Sequence, residues 1–549
     1  MVFVSGLTVR GAARILLDAG LLREAIMPAR DGASDWTSDP GRLPDTRLTD
    51  ATYDTRRITP GALLFCKGNF RPEYLKDADQ KGLAAYVSQT DHTDRTHATG
   101  LIVTDARKAM AILSSAYWGR PQDKLTLIGI TGTKGKTTTA YFVHAILNQA
   151  TGGRCALLSS VDNCTDGRTR VESQLTTPDS PDLYRLMRQA VDNGMTHLVM
   201  EVSSQAYKVD RVHALHFDVA AFLNISPDHI SPIEHPTYED YLWCKRQIIR
   251  NTDTLVHPTA MDHLPLILED ARRNHVTTVT FAAHGTATPM PPADIDATIP
   301  RPGSPRYTLA DNLPDTTGGT TARTDTARTD TTREPRTHEL GIPGDFNILN
   351  AAAATAIARA TGIPANDPSL NALQNVHVPG RMERFTDTTN PHVTAYVDYA
   401  HNQASVTAIL DFVWERYGAQ NPRITLVTGS AGNKAYDRRE GIVKAAQNRV
   451  ARLILTDEDT DTEPMEHILE QMDSYVTNPD LEHTIIPGRA TAIETAIEDA
   501  RADAGRTGRP NIILAIGKGR EKWIKRHGEH EPYEGDTHIF ARVFGDDAA

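Results

Sequence analysis

A glycine-rich loop between a strand-like segment and a helix-like segment has the residue types that bind phosphate. It reads Gly132-Thr133-Lys134-Gly135-Lys136-Thr137-Thr138, with KLTLIGI before it and AYFVHAILNQA after it. Glycines let backbone N–H groups turn toward phosphate oxygens, and the start of a helix adds partial positive charge. We expect Lys136 to reach the outer phosphates of a nucleotide and the Thr137 hydroxyl to bind Mg²⁺.

The loop departs in one place from the general phosphate-binding pattern GxxxxGK[ST]. Ile130 stands where that pattern has its first glycine. A strand–helix turn without a ligand is the alternative. The Gly-Lys-Thr-Thr run lies at the junction of an apolar strand and a helix, which favours a loop that binds ATP or a close relative.

Polar side chains also follow two other apolar segments, THLVMEVS (196–203) and DVAAFLNI (218–225). From Lys124 onward, strand-like and helix-like segments alternate, which predicts a mostly parallel sheet. Ligands of such sheets bind beyond the carboxyl ends of the strands. The polar residues that we expect there are Glu201, Ser203, Asn224, Asp228 and His229.

The composition is that of a soluble globular protein, with 39% apolar and 23% charged residues. A net charge of −12 argues against nucleic acid or an anionic membrane as the main partner. The 4 cysteines are scattered and form no CxxC pair, which is typical of reduced thiols in the cytoplasm. The sequence contains no apolar run of transmembrane length. We therefore expect a cytoplasmic protein that binds neither membrane nor nucleic acid.

The length of 549 residues predicts about three domains. We place them at residues 1–122, 123–378 and 379–549. The third domain contains five strand-like segments, HVTAYVDYA, RITLVTGS, RLILTDED, HTIIPG and NIILAIGKG, which predict a second doubly wound sheet. Residues 311–337 contain a near-repeat of Thr-Ala-Arg-Thr-Asp and very few apolar side chains. We expect this segment to be a disordered surface insertion.

Nine motifs occur along the chain in a characteristic order. They are TGTKGKTT, TTPD (176–179), EVSS (201–204), NISPDH (224–229), the helix-like YEDYLWCKRQIIR with Lys245, DFNILNAAAA, PGRME (379–383), DYAH (398–401) and GKGRE (517–521). In these motifs the chain resembles the Mur ligases, the ATP-dependent amide-forming ligases of peptidoglycan precursor synthesis. The resemblance covers nearly the whole chain apart from 311–337.

This resemblance implies an α/β protein of three domains, with a central phosphate-loop ATPase domain and a Rossmann-like C-terminal domain. It also implies that ATP and Mg²⁺ are used to join a diamino acid to a UDP-MurNAc-dipeptide through an acyl phosphate, in an enzyme that acts as a monomer. The members that add the third residue of the peptide are the most similar.

The resemblance implies a metal site formed by Thr137, Glu201, His229 and a carbamylated Lys245. Carbamylation requires a neutral amine, so burial near a cation should lower the pKa of Lys245. A helix-capping or core histidine is the alternative for His229. A solvated lysine on an amphipathic helix is the alternative for Lys245.

Two further sets of residues follow from the resemblance. Those implied on the adenine side and beside the ATP phosphates are Asn347, Asn350, Arg381, Asp398 and His401. Those implied for the nucleotide-sugar substrate are Thr176, Thr177, Ser203 and Arg211. We add Thr55 from the segment Asp54–Gly61, because Arg56 and Arg57 beside its hydroxyl could bind a phosphate. The alternatives are a helix cap for Asn347, a helix N-cap for the stretch Thr176-Thr177-Pro178-Asp179 before SPDLYRLMRQA, and a structural ion pair between Asp398 and Arg381.

The third domain departs most from the family, and it selects the amino acid. Members that use meso-diaminopimelate carry Asp-Asn-Pro-Arg where this chain has Glu458, Asp459, Thr460 and Asp461. Three carboxylates near the incoming side chain would attract an ammonium group and repel a carboxylate, which favours L-lysine or L-ornithine. The remaining residues implied for this subsite are Lys434, Gly517 and Glu521.

Three other readings remain open from the sequence. A folylpolyglutamate-synthase-like ligase shares the DYAH motif. A phosphate-loop switch or motor would normally have the general loop spacing and a Walker-B aspartate, and neither is evident here. A non-catalytic homologue is the third, because Gln205, Val209 and Arg520 depart from the residues usual in the family.

Overall fold

The computed structural model describes residues 5–28, 34–232, 234–286, 292–301, 303–315, 333–434 and 436–545. Three large sheets follow one another along the chain, and each is built from one continuous part of it. None of the described helices is both long enough and apolar enough to cross a membrane.

The first part of the chain forms a six-stranded sheet with two helices. Its elements are α1 (Val9–Asp18), β1 (Leu22–Pro28), β2 (Ser34–Thr37), β3 (Asp50–Thr52), β4 (Ala62–Phe65), β5 (Ala85–Ser88), β6 (Thr99–Val103) and α2 (Ala106–Tyr117). The strand order is β2-β1-β6-β5-β4-β3, and strands β3 to β6 are parallel.

The central part forms an eleven-stranded sheet in the order β10-β9-β8-β11-β7-β12-β13-β14-β15-β16-β17. Its strands are β7 (Thr126–Thr131), β8 (Cys155–Leu158), β9 (Asp162–Cys164), β10 (Val171–Glu172), β11 (His197–Glu201), β12 (Phe217–Phe222), β13 (Thr252–Pro258), β14 (Thr277–Gly285), β15 (Ile295–Ile299), β16 (Arg306–Asp311) and β17 (Arg336–Glu339). Its helices are α3 (Lys136–Ala150), α4 (Ser180–Asp192), α5 (Ser204–Lys208), α6 (Tyr238–Arg246), α7 (Leu264–Arg273) and α8 (Asp345–Ala360).

Strands β8, β11, β7, β12, β13, β14 and β15 are parallel neighbours, so their carboxyl ends lie at one edge of the sheet. Alternation along β7 directs Ile128 and Ile130 toward the core formed with α3 and α8. Leu127 lies in the opposite core, which is formed with α4, α6 and α7. The helices on both faces therefore hold the loop after β7 in a fixed position.

The last part of the chain forms a six-stranded sheet in the order β18-β19-β23-β20-β21-β22 and a separate hairpin. The elements are β18 (Glu383–Thr386), β19 (Val393–Asp398), α9 (Gln403–Tyr417), β20 (Arg423–Thr428), α10 (Asp437–Ala446), β21 (Arg452–Leu455), α11 (Met465–Ser474), β22 (Glu482–Ile485), α12 (Arg489–Thr507), β23 (Asn511–Ile516), β24 (Trp523–Arg526), β25 (Glu529–Pro532) and α13 (Asp536–Phe544). All five predicted strands are present and parallel, while β18 and the hairpin β24–β25 were not predicted.

The prediction of a disordered insertion over 311–337 is wrong at both ends of the segment. Asp311 ends β16, and Arg336 begins β17, its antiparallel partner. Arg359 on α8 is 2% exposed and pairs with Asp311 at 2.7 Å and with Asp315 at 2.9 Å. The polar ends are ordered because their charges pair with an arginine from outside the segment. Residues 316–332 lie outside the described residues.

Candidate active site

The loop after β7 brings two lysine ammonium groups to one carbonyl oxygen. Lys136 Nζ donates to the carbonyl oxygens of Gly132 at 2.9 Å and Thr133 at 3.2 Å. Lys245 Nζ, from α6, also donates to Gly132 O at 2.9 Å. Within the described parts of the chain, neither lysine forms a salt bridge with a carboxylate. The Lys136 ammonium group suits an anionic ligand in a chain whose net charge is −12.

Gly135 explains why the loop requires a glycine before the helix. Its φ of 83° lies in the left-handed region, which disfavours residues that carry a Cβ atom. A Cβ atom at this position would also lie 2.5 Å from Asn350 Oδ1 on α8. The loop and α8 therefore pack at a distance that no larger residue would allow.

Burial and neighbouring cations lower the pKa values of the two lysines. Burial, followed by the Lys136 ammonium group, lowers the pKa of Lys245 well below its ordinary value. Burial also lowers the pKa of Lys136, against the attraction of Glu201 and Asp228. A neutral amine at Lys245 is the form that carbamylation requires. The solvated-helix alternative for Lys245 is wrong, because the residue is 2% exposed.

Tyr241 connects the loop, Lys245 and His229. Its hydroxyl lies 3.1 Å from Thr133 Oγ1, and the Lys245 ammonium lies 4.9 Å from the centre of its ring. His229 stacks on the same ring at a centroid distance of 6.0 Å. Nδ1 of His229 donates to Glu234 Oε2 at 3.2 Å, so its Nε2 is the nitrogen that could bind a metal.

Thr137 and Glu201 are connected through Ser160. The Ser160 backbone N–H donates to Glu201 Oε1 at 2.8 Å, and the Ser160 hydroxyl lies 3.0 Å from Thr137 Oγ1. Arg381 Nη2 also reaches Thr137 Oγ1, at 3.5 Å. A hydroxyl and a carboxylate at the carboxyl ends of adjacent strands are oxygen donors of the kind that Mg²⁺ prefers. The predicted metal residues therefore fit such an ion, although Glu201 and His229 do not contact each other directly.

The predicted adenine-side residues lie on the first two turns of α8. Asn347 Nδ2 donates to Pro343 O at 2.5 Å, and Asn350 Nδ2 donates to Asn347 Oδ1 at 3.1 Å. The N-cap of α8 is Gly344, so the helix-cap alternative for Asn347 is wrong.

Asp398 and His401 lie where the C-terminal sheet meets the phosphate loop. Asp398 accepts the backbone N–H groups of Met382 at 2.9 Å and Ala400 at 2.7 Å, and burial raises its pKa. It therefore shapes the turn that carries Arg381, and the two side chains form no salt bridge in the described structure. His401 Nε2 accepts a hydrogen bond from Lys134 Nζ at 3.3 Å.

Asp228 links the same two parts of the chain; the sequence placed it at a strand end but gave it no role in the site. It accepts hydrogen bonds from Lys134 Nζ at 3.2 Å and from Asn402 Nδ2 at 3.3 Å, and it pairs with Arg438. Burial alone would raise the pKa of Asp228, but the Lys134 and Arg438 charges hold it far below its usual range. The position of Asp228 after a strand end was the only sequence signal, and none identified Arg438.

Residues predicted for the nucleotide sugar form a network between the first and central sheets. Arg211 donates to Asp179 Oδ1 and to Thr177 O, both at 3.0 Å. Lys67, from the first part of the chain, also pairs with Asp179, and its pKa is lowered by burial. Asp179 is the N-cap of α4, so the Thr176–Asp179 stretch does begin a helix, as its alternative interpretation had it.

Of the other predicted residues, Ser203 belongs to this network, whereas Thr55 has its partner within the first part of the chain. Ser203 N–H donates to Thr177 Oγ1 at 3.0 Å, at the carboxyl end of β11. The carbonyl of Thr55, in a short 3-10 helix at Thr55–Arg57, accepts a hydrogen bond from Lys81 at 2.9 Å.

The acidic residues at 458–461 differ from the prediction of three free carboxylates. Asp459 pairs with Lys518 at 2.7 Å, and Asp461 pairs with Lys525 at 3.0 Å. Only Glu458 is buried with an oxygen, Oε2, that accepts no hydrogen bond from the described residues. The prediction failed for the two aspartates because their lysine partners are about 60 residues away in sequence.

Glu521 and Lys434 complete the predicted amino-acid subsite. Glu521 also pairs with Lys518, and burial raises its pKa to about 7. Gly517, with φ 103°, donates its N–H to Asp398 O at 3.1 Å and packs against Glu458. Lys434 is half-buried. Burial alone would raise the pKa of Glu234, in the central part, but His229 and the Lys434 charge lower it.

The fold and these sites define a class of protein. Residues 130–358 match the Mur ligase middle domain, and residues 380–519 match the Mur ligase, glutamate ligase domain. The chain belongs to the Mur ligase family of ATP-dependent ligases. The resemblance and the fold class predicted from the sequence are confirmed, and the phosphate-loop switch or motor is excluded.

Individual relatives extend over nearly the whole chain. A UDP-N-acetylmuramyl-tripeptide synthetase of Bifidobacterium longum is 54% identical over 542 residues, which are 98% of this chain and 99% of that protein. A UDP-N-acetylmuramoyl-L-alanyl-D-glutamate--L-lysine ligase of Enterococcus faecalis is 39% identical, covering 94% of each chain. A solved UDP-N-acetylmuramoyl-L-alanyl-D-glutamate--2,6-diaminopimelate ligase, at 20% identity, shares the fold with a TM-score of 0.57 over 92% of this chain and 96% of that chain.

Proposed function

We propose that this enzyme joins L-lysine to UDP-MurNAc-L-Ala-D-Glu with hydrolysis of ATP to ADP and phosphate. The observation that carries the proposal is the convergence of Lys136 and Lys245 on the Gly132 carbonyl, beside Thr137 and Glu201. An amide-forming ligase must neutralise the phosphoryl group that moves from ATP to the substrate carboxylate, and the Lys136 ammonium group, which pairs with no carboxylate of the described residues, suits that task.

The reaction has two covalent steps. The substrate carboxylate attacks the γ-phosphorus of ATP, the bond to the β-phosphate oxygen breaks, and ADP leaves. The amine of L-lysine then attacks the carbonyl carbon of this acyl phosphate, loses a proton, and expels inorganic phosphate. Lys136 and Arg381 bind the phosphates, and Asn347 and Asn350 lie on the adenine side. His401 positions Lys134, and Asp398 positions Arg381.

A bound Mg²⁺ would supply further charge neutralisation at the phosphates. Thr137, Glu201 and His229 would hold it, together with Lys245 as a carbamate. The hydroxyl and carboxylate oxygens fit this ion, and the Glu234 carboxylate keeps the proton on Nδ1 of His229, leaving Nε2 as a donor.

The choice of amino acid depends on Glu458. Its buried carboxylate oxygen without a hydrogen-bond donor would attract the side-chain ammonium of L-lysine. Gly517, Glu521 and Lys434 complete this subsite. Asp459 and Asp461 act on it indirectly, because they pair with Lys518 and Lys525. The name of the Enterococcus faecalis relative supports L-lysine.

The three sheets divide this task. Residues 1–122 bind the uridine side with Thr55, residues 123–378 bind ATP and the muramoyl peptide with Thr176, Thr177, Ser203 and Arg211, and residues 379–549 bind the amino acid. We expect the enzyme to act as a cytoplasmic monomer.

One assay tests this function. Purified protein is incubated with ATP, Mg²⁺, UDP-MurNAc-L-Ala-D-Glu and, in turn, L-lysine, L-ornithine or meso-diaminopimelate, and the product mass and released phosphate are measured. We expect phosphate release to require both the dipeptide and L-lysine. Release without an amino acid product, or a preference for diaminopimelate, would contradict the proposal.

A further inference from the structure

The Asp228 carboxylate lies at the boundary between the central and C-terminal parts and receives donors from both. Lys134 belongs to the phosphate loop, whereas Asn402 and Arg438 come from the C-terminal part. We call Lys134, Asp228, His401, Asn402 and Arg438 the docking cluster. The side chains of Asp228 and Arg438 are 3% and 10% exposed, so the pair is almost completely removed from water.

The two C-terminal donors belong to the first residues of two helices. Asn402 is the N-cap of α9, and Arg438 is the second residue of α10. The start of a helix carries a partial positive charge that stabilises a nearby carboxylate. Asp228 therefore contacts one side-chain amide, one guanidinium and one ammonium group, and the two cations are complementary to its charge.

Two adjacent arginines of α10 pair with different parts of the chain. Arg439 is fully buried and pairs with Glu463 inside that part, whereas Arg438 points across the boundary. If the two parts separated, water could solvate both Asp228 and Arg438. The ion pair between Asp228 and Arg438 therefore exists only when the two parts are docked.

Docking through this cluster acts directly on the phosphate site. Lys134 is fixed between Asp228 and His401. His229, which follows Asp228 in the chain, donates its backbone N–H to Asp228 Oδ1 at 3.0 Å. We propose that Arg438 is a positioning residue: its pairing with Asp228 docks the C-terminal part and holds Lys134 and the turn at 228–229 in the reactive arrangement. This inference rests on the proposed ligase function.

The test compares wild type with Arg438→Met, Arg438→Lys, Asp228→Asn and the double variant of Arg438→Met with Asp228→Asn. The matched control is Arg449→Met, which removes an arginine of the same part that pairs with Asp411, a residue whose side chain is 54% exposed. The measurements are kcat, KM for each substrate, Tm, and the radius of gyration from small-angle scattering with and without ATP and dipeptide.

We expect Arg438→Met to lower kcat by about tenfold or more, because removing one partner of a buried pair leaves the other unpaired. KM for the dipeptide and Tm should stay close to wild type, and the radius of gyration with substrates should stay larger than that of wild type. Arg438→Lys, which keeps the charge but loses the fork, should recover part of kcat. Arg449→Met should behave as wild type.

The double variant separates positioning from two independent losses. If the two residues act as one contact, their losses are not additive. The kcat of the double variant should then lie within about twofold of the kcat of the less active single variant. A normal kcat in Arg438→Met, wild-type compaction in the scattering, or losses that multiply would each overturn the inference. If Arg438→Met does not fold, Arg438→Lys and Asp228→Asn still decide it. Failure of wild type to ligate would instead refute the proposed function, while the scattering still tests docking.

Discussion

The Glu458 carboxylate offers the sharpest test of how the amino acid is selected. The side chain is 7% exposed, and no described residue donates a hydrogen bond to Oε2. Glu458→Gln keeps the shape of the side chain and removes its charge. A charge-assisted contact with the substrate ammonium is worth about 1.5–3 kcal/mol, so kcat/KM for L-lysine should fall by about 10- to 150-fold.

Stability should change in the opposite direction. Burial, followed by the Asp459 charge, raises the pKa of Glu458 above its ordinary 4.5. The folded protein therefore holds the Glu458 proton more tightly than the unfolded chain does, and wild type loses stability as the pH rises from 4.5 through the raised pKa. Glutamine does not ionise, so Glu458→Gln should have the higher Tm at neutral pH and a smaller loss of Tm between acidic and neutral pH.

The assay measures kcat/KM for L-lysine, L-ornithine and meso-diaminopimelate at saturating ATP and dipeptide, beside Tm over a pH series. Asp461→Asn is the matched control, because Asp461 already pairs with Lys525 and both side chains are partly exposed. It should change kcat/KM by less than about fivefold. The reasoning is refuted if Glu458→Gln keeps kcat/KM within about twofold of wild type, or if Asp461→Asn is the more damaging change.

Three other predictions follow from the geometry. Lys136→Ala should abolish ligation at nearly unchanged Tm, since loss of a cation beside a transferring phosphoryl group costs about 3 kcal/mol or more; near-normal turnover of the folded variant would contradict this. Arg359→Met should lower the free energy of unfolding by about 3 kcal/mol, because it removes the 2.7 Å partner of the buried Asp311 and leaves only Arg333, at 3.6 Å, to pair with it. Deletion of 316–332 should instead leave Tm and kcat close to wild type; calorimetry and the ligation assay separate the two. Because the pKa of Glu521 is about 7, kcat/KM for L-lysine should fall about tenfold per pH unit below that value as the carboxylate protonates, and an inflection that persists in Glu521→Gln would assign it to another group.

The local parts of the fold were predictable from the sequence. The phosphate loop is specified by adjacent residues, because Gly135 must adopt a positive φ and Lys136 must begin a helix. Four of the five parallel strands of the C-terminal sheet, β19, β20, β21 and β23, were marked by mainly apolar runs, since both faces of such a strand are buried, whereas the edge strand β22 is largely exposed. Strand β18 escaped prediction because it lies at the sheet edge and pairs antiparallel with β19.

What the sequence by itself determined is therefore the set of elements and the chemical groups at their ends. The tertiary structure decided which of those groups are free to react. Asp459 and Asp461 look equivalent to Glu458 in sequence, yet they are neutralised by lysines that only the fold brings near. Asp228 gains Arg438 from 210 residues away, and the pKa of Lys245 falls because the fold buries it beside Lys136. Charge pairing and desolvation depend on distances in space, and a sequence order does not contain those distances.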